Sequence, residues 1–167
     1  MMNTIGSKLF SLLVVILLGV LLYVTVFSGG GQAPDIQIKT SDNQTLNLSK
    51  PMKPVLVNFW ATTCPGCVSE MPHLADMKKK FGNKFEMVAV SMDYDPQDQV
   101  KKFMAKHNYP FSYIMDKTGS IAKAFGGVML TPTSFLIAPN GTIVYQKVGE
   151  IDYTIVDKKL VEMTPNL

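Results

Sequence analysis

The sequence contains no arginine: all 16 of its basic residues are lysine. The forked guanidinium that reads guanine or grips phosphate bidentately is therefore missing. A formal charge of +3 over 167 residues is also too small for a dedicated nucleic-acid binder. Cysteine is almost as scarce, with two in the whole chain. Two cysteines exclude a miniprotein stapled by several disulfides. With only two histidines and no second cysteine pair, a zinc site also lacks ligands. No dinucleotide fingerprint is present, so no nucleotide cofactor is expected. Charged residues make up 17% and hydrophobic ones 47%, which excludes a disordered chain and fits one modest globular domain with something apolar attached.

The apolar excess is concentrated at one end. Residues 9–27 form a run of 19 without a charged side chain, which as a helix spans roughly 28 Å, close to the thickness of a bilayer core. A cleaved secretory signal is the competing reading, but its apolar region is usually about 7–15 residues and is followed by a small-residue cleavage site that is not seen here. Lys8 and the amino terminus are the only positive charges before the run, and Asp35 is the first charge after it. The expected organisation is therefore a cytoplasmic N-terminus at 1–8, a transmembrane anchor at 9–28, a flexible linker at 29–34 that is rich in Gly and ends in Pro34, and a domain at 35–167 on the far side of the membrane.

Within the domain, helical and strand patterns alternate. Residues 35–39 and 45–48 read as a small hairpin, and 55–60 (VLVNFW) as a strand buried on both faces. A helix is expected over 65–81, a second central strand over 85–92, a helix over 96–107, a strand at 113–115 and a short helix at 120–125. Strands at 133–138 and 142–148 flank Pro139-Asn140-Gly141, a strong hairpin signal, and a helix over 153–163 closes the chain. This order calls for an α/β domain with a mixed central sheet and helices on both faces.

Both cysteines sit between the buried strand and its helix, in Cys64-Pro65-Gly66-Cys67. A pair at this spacing can close a short disulfide, and the helix N-terminus supplies N–H groups and positive potential that favour a thiolate over a thiol. Cys64, nearest the helix start, is expected to be the attacking sulfur. Cys67, one turn inside, is expected to be shielded and to resolve the mixed disulfide. A merely structural bridge would constrain the unfolded chain little, since its loop is so short. Covalent haem attachment needs His after the second cysteine, where Val68 stands.

Asn58-Phe59-Trp60-Ala61-Thr62 before the cysteine pair, Glu70-Met71-Pro72 after it, and Thr131-Pro132-Thr133 further on together resemble the membrane-anchored thioredoxin-like proteins of the TlpA and ResA type. The likeness runs from about Asp35 to the C-terminus. It implies a thioredoxin-like fold with an N-terminal β-hairpin, a helix-containing insertion at roughly 96–115 and one N-terminal transmembrane helix. It also implies an extracytoplasmic thiol-disulfide oxidoreductase that reduces exported proteins, often in cytochrome c maturation, with a transmembrane thiol reductase as its electron donor. By the same resemblance Thr131 and Pro132 form a cis-proline loop that binds substrate; Trp60, next to the dithiol, reads as a packing residue and as a further candidate for contact with substrate. Glu70 takes an acid/base role, while Asn58 departs from thioredoxin proper, which has Asp there. The redox group is the Cys64/Cys67 disulfide, with no metal and no other cofactor.

Other readings of the same pair are a dithiol oxidase or isomerase, a thiol peroxidase and a copper-binding chaperone. The peroxidase motif fails because Val57 and Ala61 stand where Pro and Thr are needed, and the chain has no Arg to polarise a peroxide. The copper-chaperone spacing of two cysteines and a distant His is not met. His73 reads as a surface residue, His107 as a complement to a helix end, and Lys78, Lys79 and Lys80 as a solvated helix terminus.

Overall fold

A computed structural model describes residues 10, 13, 14, 16–18 and 31–165, which fall in two units, Met1–Gly30 and Gly31–Leu167. The anchor expected at 9–28 and the cytoplasmic segment at 1–8 lie outside the described residues, apart from six positions from Phe10 to Leu18 that are helical and exposed. Among the described residues no helix is long and apolar enough to cross a membrane.

The second unit is built around β3 (Val55–Trp60), six consecutive buried residues at the centre of a five-stranded sheet. Its strand order is β5 (Ser112–Met115), β4 (Glu86–Ser91), β3, β6 (Thr133–Ile137), β7 (Ile143–Val148). The β3–β4 and β4–β5 pairings are parallel, whereas β3–β6 and β6–β7 are antiparallel. A two-stranded antiparallel hairpin of β1 (Gln37–Lys39) and β2 (Thr45–Asn47) stands apart from this sheet. The mixed sheet and the N-terminal hairpin are thus as expected.

Strand alternation divides the core into two layers. Leu56 and Trp60 face one way and pack with Met71 and Leu74 of α1 (Pro65–Phe81), Val100 and Met104 of α2 (Gln97–His107), and Val156 and Leu160 of α4 (Tyr153–Met163). Val55, Val57 and Phe59 face the other way, toward Ala122 of α3 (Ser120–Ala124), Phe125, and Ile38 and Leu48 from the hairpin region. The segment expected as an insertion forms α2 and β5, so it adds an edge strand beside β4 and a helix on the α1 face. Pro96 has ψ 121° and caps α2 rather than occupying its first turn.

Two expectations need correction. Residues 31–34 do not behave as a free linker: Ile143 donates to the Gly31 carbonyl and Ala33 to the Gly141 carbonyl, each at 2.8 Å, and Ala33 is buried. The backbone groups at the start of β7 would otherwise face solvent, and this segment pairs with them. Lys78 is not solvated. Its stem folds back so that Nζ donates to the carbonyls of Gly82 (2.9 Å) and Phe85 (2.5 Å) and lies 3.4 Å from Glu86. A lysine at this point satisfies the carbonyl of the helix cap, Gly82, and a second carbonyl where the chain enters β4.

Candidate active site

The end of β3 and the start of α1 are joined by a tight turn in which Cys64 N–H donates to the Ala61 carbonyl at 3.2 Å. Cys64 itself caps the helix in an extended conformation, and its Sγ accepts from Cys67 N–H at 3.2 Å. Pro65 follows at the first helical position, where a missing N–H costs nothing. Cys64 and Cys67 are joined in a disulfide, with Cys64 half-buried and Cys67 buried. The outer sulfur therefore sits on the positive end of a 17-residue helix and is the one within reach of another molecule.

Across from it, the Thr131–Pro132 peptide bond is cis, and the Thr131 carbonyl oxygen lies 3.6 Å from Cys64 Sγ. The Pro132 carbonyl accepts from Gly149 N–H at 2.8 Å, which ties this loop to the end of β7. Met129 and Leu130, just before it, are exposed, and Tyr94 Oη lies 3.4 Å from Thr131 Oγ1.

Glu70 is only 1% exposed, so it is not a solvated helix-surface residue. Its Oε1 accepts from Ile151 N–H at 2.8 Å and its Oε2 from the Asn58 side-chain amide at 3.1 Å. Asn58 also donates to Ser134 Oγ at 2.9 Å, a contact set by the register that places the two residues opposite each other on β3 and β6. Burial pushes the Glu70 carboxyl above its ordinary range. The Ile151 and Asn58 donors pull it back, the Glu150 carboxylate adds to the rise, and His73 opposes it. Tyr153 is raised as well, first by burial and then by Glu70 and Glu150.

A raised carboxyl binds a proton in the folded protein that the unfolded chain has already released. Stability is therefore full below the ordinary carboxylate value and declines as pH rises through the raised one. Glu70→Gln is expected to lack this decline. Melting curves from about pH 4 to about pH 8 should show wild type losing stability relative to the variant. Parallel curves for the two proteins would mean that Glu70 does not carry the effect.

One site residue must be reassigned. Trp60 is fully buried and its ring packs 5.2 Å from Phe103 of α2, so it cannot touch a substrate. It ends the run of inward-facing β3 residues beneath the insertion helix, so the packing reading of Trp60 holds and the substrate contact does not. His73 is exposed, with its ring 5.3 Å from Tyr153. His107 is also exposed and, besides lying at a helix end, stacks on Tyr109. Ser134, Ile151, Tyr94 and Asp95 meet at the site without any signal in the linear sequence, because they reach it from β6, from the segment before α4 and from the turn after β4, which only the fold brings together.

The Redoxin family model matches residues 29–162. The chain is 31% identical over 138 residues to the thiol-disulfide oxidoreductase ResA of Bacillus thuringiensis, covering 81% of this chain and 79% of that protein. It is 33% identical over 134 residues to the thioredoxin-like protein YneN of Bacillus subtilis, covering 78% of each. Among solved structures, a thioredoxin-family thiol:disulfide interchange protein from Chlorobium tepidum superposes with a TM-score of 0.67 at 26% identity, covering 80% of this chain and 96% of that one. With a cysteine pair capping the first helix after the central strand, the chain belongs to the Redoxin family and is a thioredoxin-like thiol-disulfide oxidoreductase of the TlpA and ResA type.

Proposed function

We propose that this enzyme works outside the cytoplasm, held by the apolar segment at 9–28, and reduces disulfides of exported proteins through Cys64 and Cys67. The observation that carries this reading is the placement of Cys64: half-buried on a helix N-terminus, with its sulfur against the Thr131 carbonyl and its partner sulfur sealed inside. An extended substrate segment laid along residues 130–132 would bring its own disulfide to Cys64. Cys64 attacks one substrate sulfur and releases the other as a thiolate. Cys67 then attacks Cys64, freeing the reduced substrate and restoring the internal disulfide. Glu70, buried three residues beyond Cys67, serves as the base that takes the Cys67 proton. The two electrons lost in each cycle return from a thiol donor, for which a transmembrane thiol reductase is the natural class, since the chain carries no nucleotide fingerprint. A client of the apocytochrome c type is the one that the resemblance to the TlpA and ResA type implies.

The test is covalent capture. Cys67→Ala leaves Cys64 to form a mixed disulfide that nothing resolves, so exported proteins should be recovered bound through Cys64. Recovery of none, from cells in which the variant is expressed on the outer face, would overturn the reading. Protease protection of intact cells checks the placement, since cleavage only after lysis would put the domain inside. A reduction potential close to that of thioredoxin, about −270 mV, is expected for a reductant. A value near that of DsbA, about −120 mV, would favour an oxidase.

A further inference from the structure

We propose that Asp95 is a positioning residue for the reaction: by clamping Thr62 it holds the turn that carries Cys64, so that the sulfur stays on the α1 N-terminus once the disulfide has been opened. The proposal rests on Cys64 being the attacking sulfur.

Asp95 lies in the turn that follows β4 and is 3% exposed. Its Oδ2 accepts from Thr62 N–H at 2.6 Å and its Oδ1 from Thr62 Oγ1–H at 2.5 Å. Both carboxylate oxygens are thus committed to a single residue, two positions before Cys64. A bidentate hold of this kind fixes orientation as well as distance. The four ion pairs among the described residues join Lys53 and Lys78 to Glu86, Lys79 to Asp76 and Lys80 to Asp157, so none reaches Asp95. A buried carboxylate without a cation is costly unless hydrogen bonds compensate it. Here the compensation comes from the two Thr62 donors. The neighbouring Tyr94 reaches the opposite wall at Thr131, so a single turn contacts both sides of the dithiol.

The clamp matters most in the reduced enzyme. In the oxidised form the Cys64–Cys67 bond itself ties Cys64 to α1. Reduction by a donor dithiol, which leaves as its own disulfide, breaks that bond and leaves two cysteines. The turn bond from Cys64 N–H to Ala61 and the Asp95–Thr62 clamp then hold the nucleophile over the helix end. Thiolate stabilisation by a helix terminus falls off within about one turn, so a loosened loop costs acidity.

The experiment measures, in the reduced full-length protein, the alkylation rate of each cysteine by iodoacetamide against pH, resolved by mass spectrometry, for wild type, Asp95→Asn and Asp95→Ala. Both variants remove the charge, and only Asn can still bridge to Thr62. Near neutral pH, Cys64 of Asp95→Ala is expected to react about tenfold more slowly than Cys64 of Asp95→Asn, equivalent to a rise of about one pKa unit. Equal rates in the two variants would overturn the proposal and leave Cys64 as nucleophile. If wild-type Cys64 ionises like a free thiol, the underlying reading fails first and the proposal goes with it. Should Asp95→Ala not fold, Thr62→Val against Thr62→Ser decides. Loss of the hydroxyl bond is expected to slow Cys64 about threefold, and no difference between the two would overturn the clamp.

Discussion

Cys64→Ser is expected to abolish disulfide-reductase turnover, with a loss of at least about 10³-fold. A serine hydroxyl at this position would still cap α1 and accept from Cys67 N–H, so the local geometry would survive. It cannot form a mixed disulfide, and its hydroxyl is not ionised by a helix terminus that suffices for a thiol. Cys67→Ser should differ in kind. The accessible sulfur remains, so single attack and alkylation at Cys64 persist while turnover stops, because no second thiol releases the substrate. A dithiothreitol-coupled reduction assay on a disulfide peptide, run beside alkylation mapping, separates the two. Turnover retained in Cys64→Ser would place the chemistry on another residue. Each substitution also removes the cross-link in the oxidised protein. A four-residue loop makes that bond worth about 2 kcal/mol, so the activity loss should be read under conditions where both variants are fully folded.

The largest effect on stability is expected from Gly141→Ala. Gly141 follows Asn140 in the turn between β6 and β7 and has φ +83°, a conformation that costs other residues about 1–2 kcal/mol. A Cβ built there would lie 2.0 Å from the Ser49 carbonyl oxygen, which is backbone and cannot rotate away. The Gly141 carbonyl also receives Ala33 N–H, so displacing the turn would strip the 31–33 segment from the start of β7. Strain and displacement together are expected to cost about 2–5 kcal/mol, equivalent to a drop in melting temperature on the order of 10 °C. Thermal unfolding of the oxidised protein measures it. A variant melting within about 2 °C of wild type, less than about 1 kcal/mol on the same scale, would show that the turn can open without harm.

Local patterns carried much of this protein's architecture. The apolar run at 55–60, the helix over 65–81 and the helix over 153–163 could be read from the chain, because a strand buried on both faces and an amphipathic helix each leave a periodic signature. The dithiol could be read for the same reason: its chemistry depends on two residues three positions apart and the helix they begin. Trp60 shows the limit of such reading. Its place beside the cysteines suggests a substrate contact, yet the strand's alternation turns it inward beneath Phe103.

What the sequence by itself determined was the order of elements and the sulfur pair at the start of a helix, because both follow from interactions among near neighbours along the chain. The tertiary structure alone decided that Glu70 is buried and raised rather than solvated, that Asn58 meets Ser134, and that Asp95 grips Thr62. Those contacts join residues 12 to 81 positions apart. They depend on strand register and on which loops the sheet brings to one edge, and the surroundings that shift a carboxyl group exist only once distant segments have excluded water together.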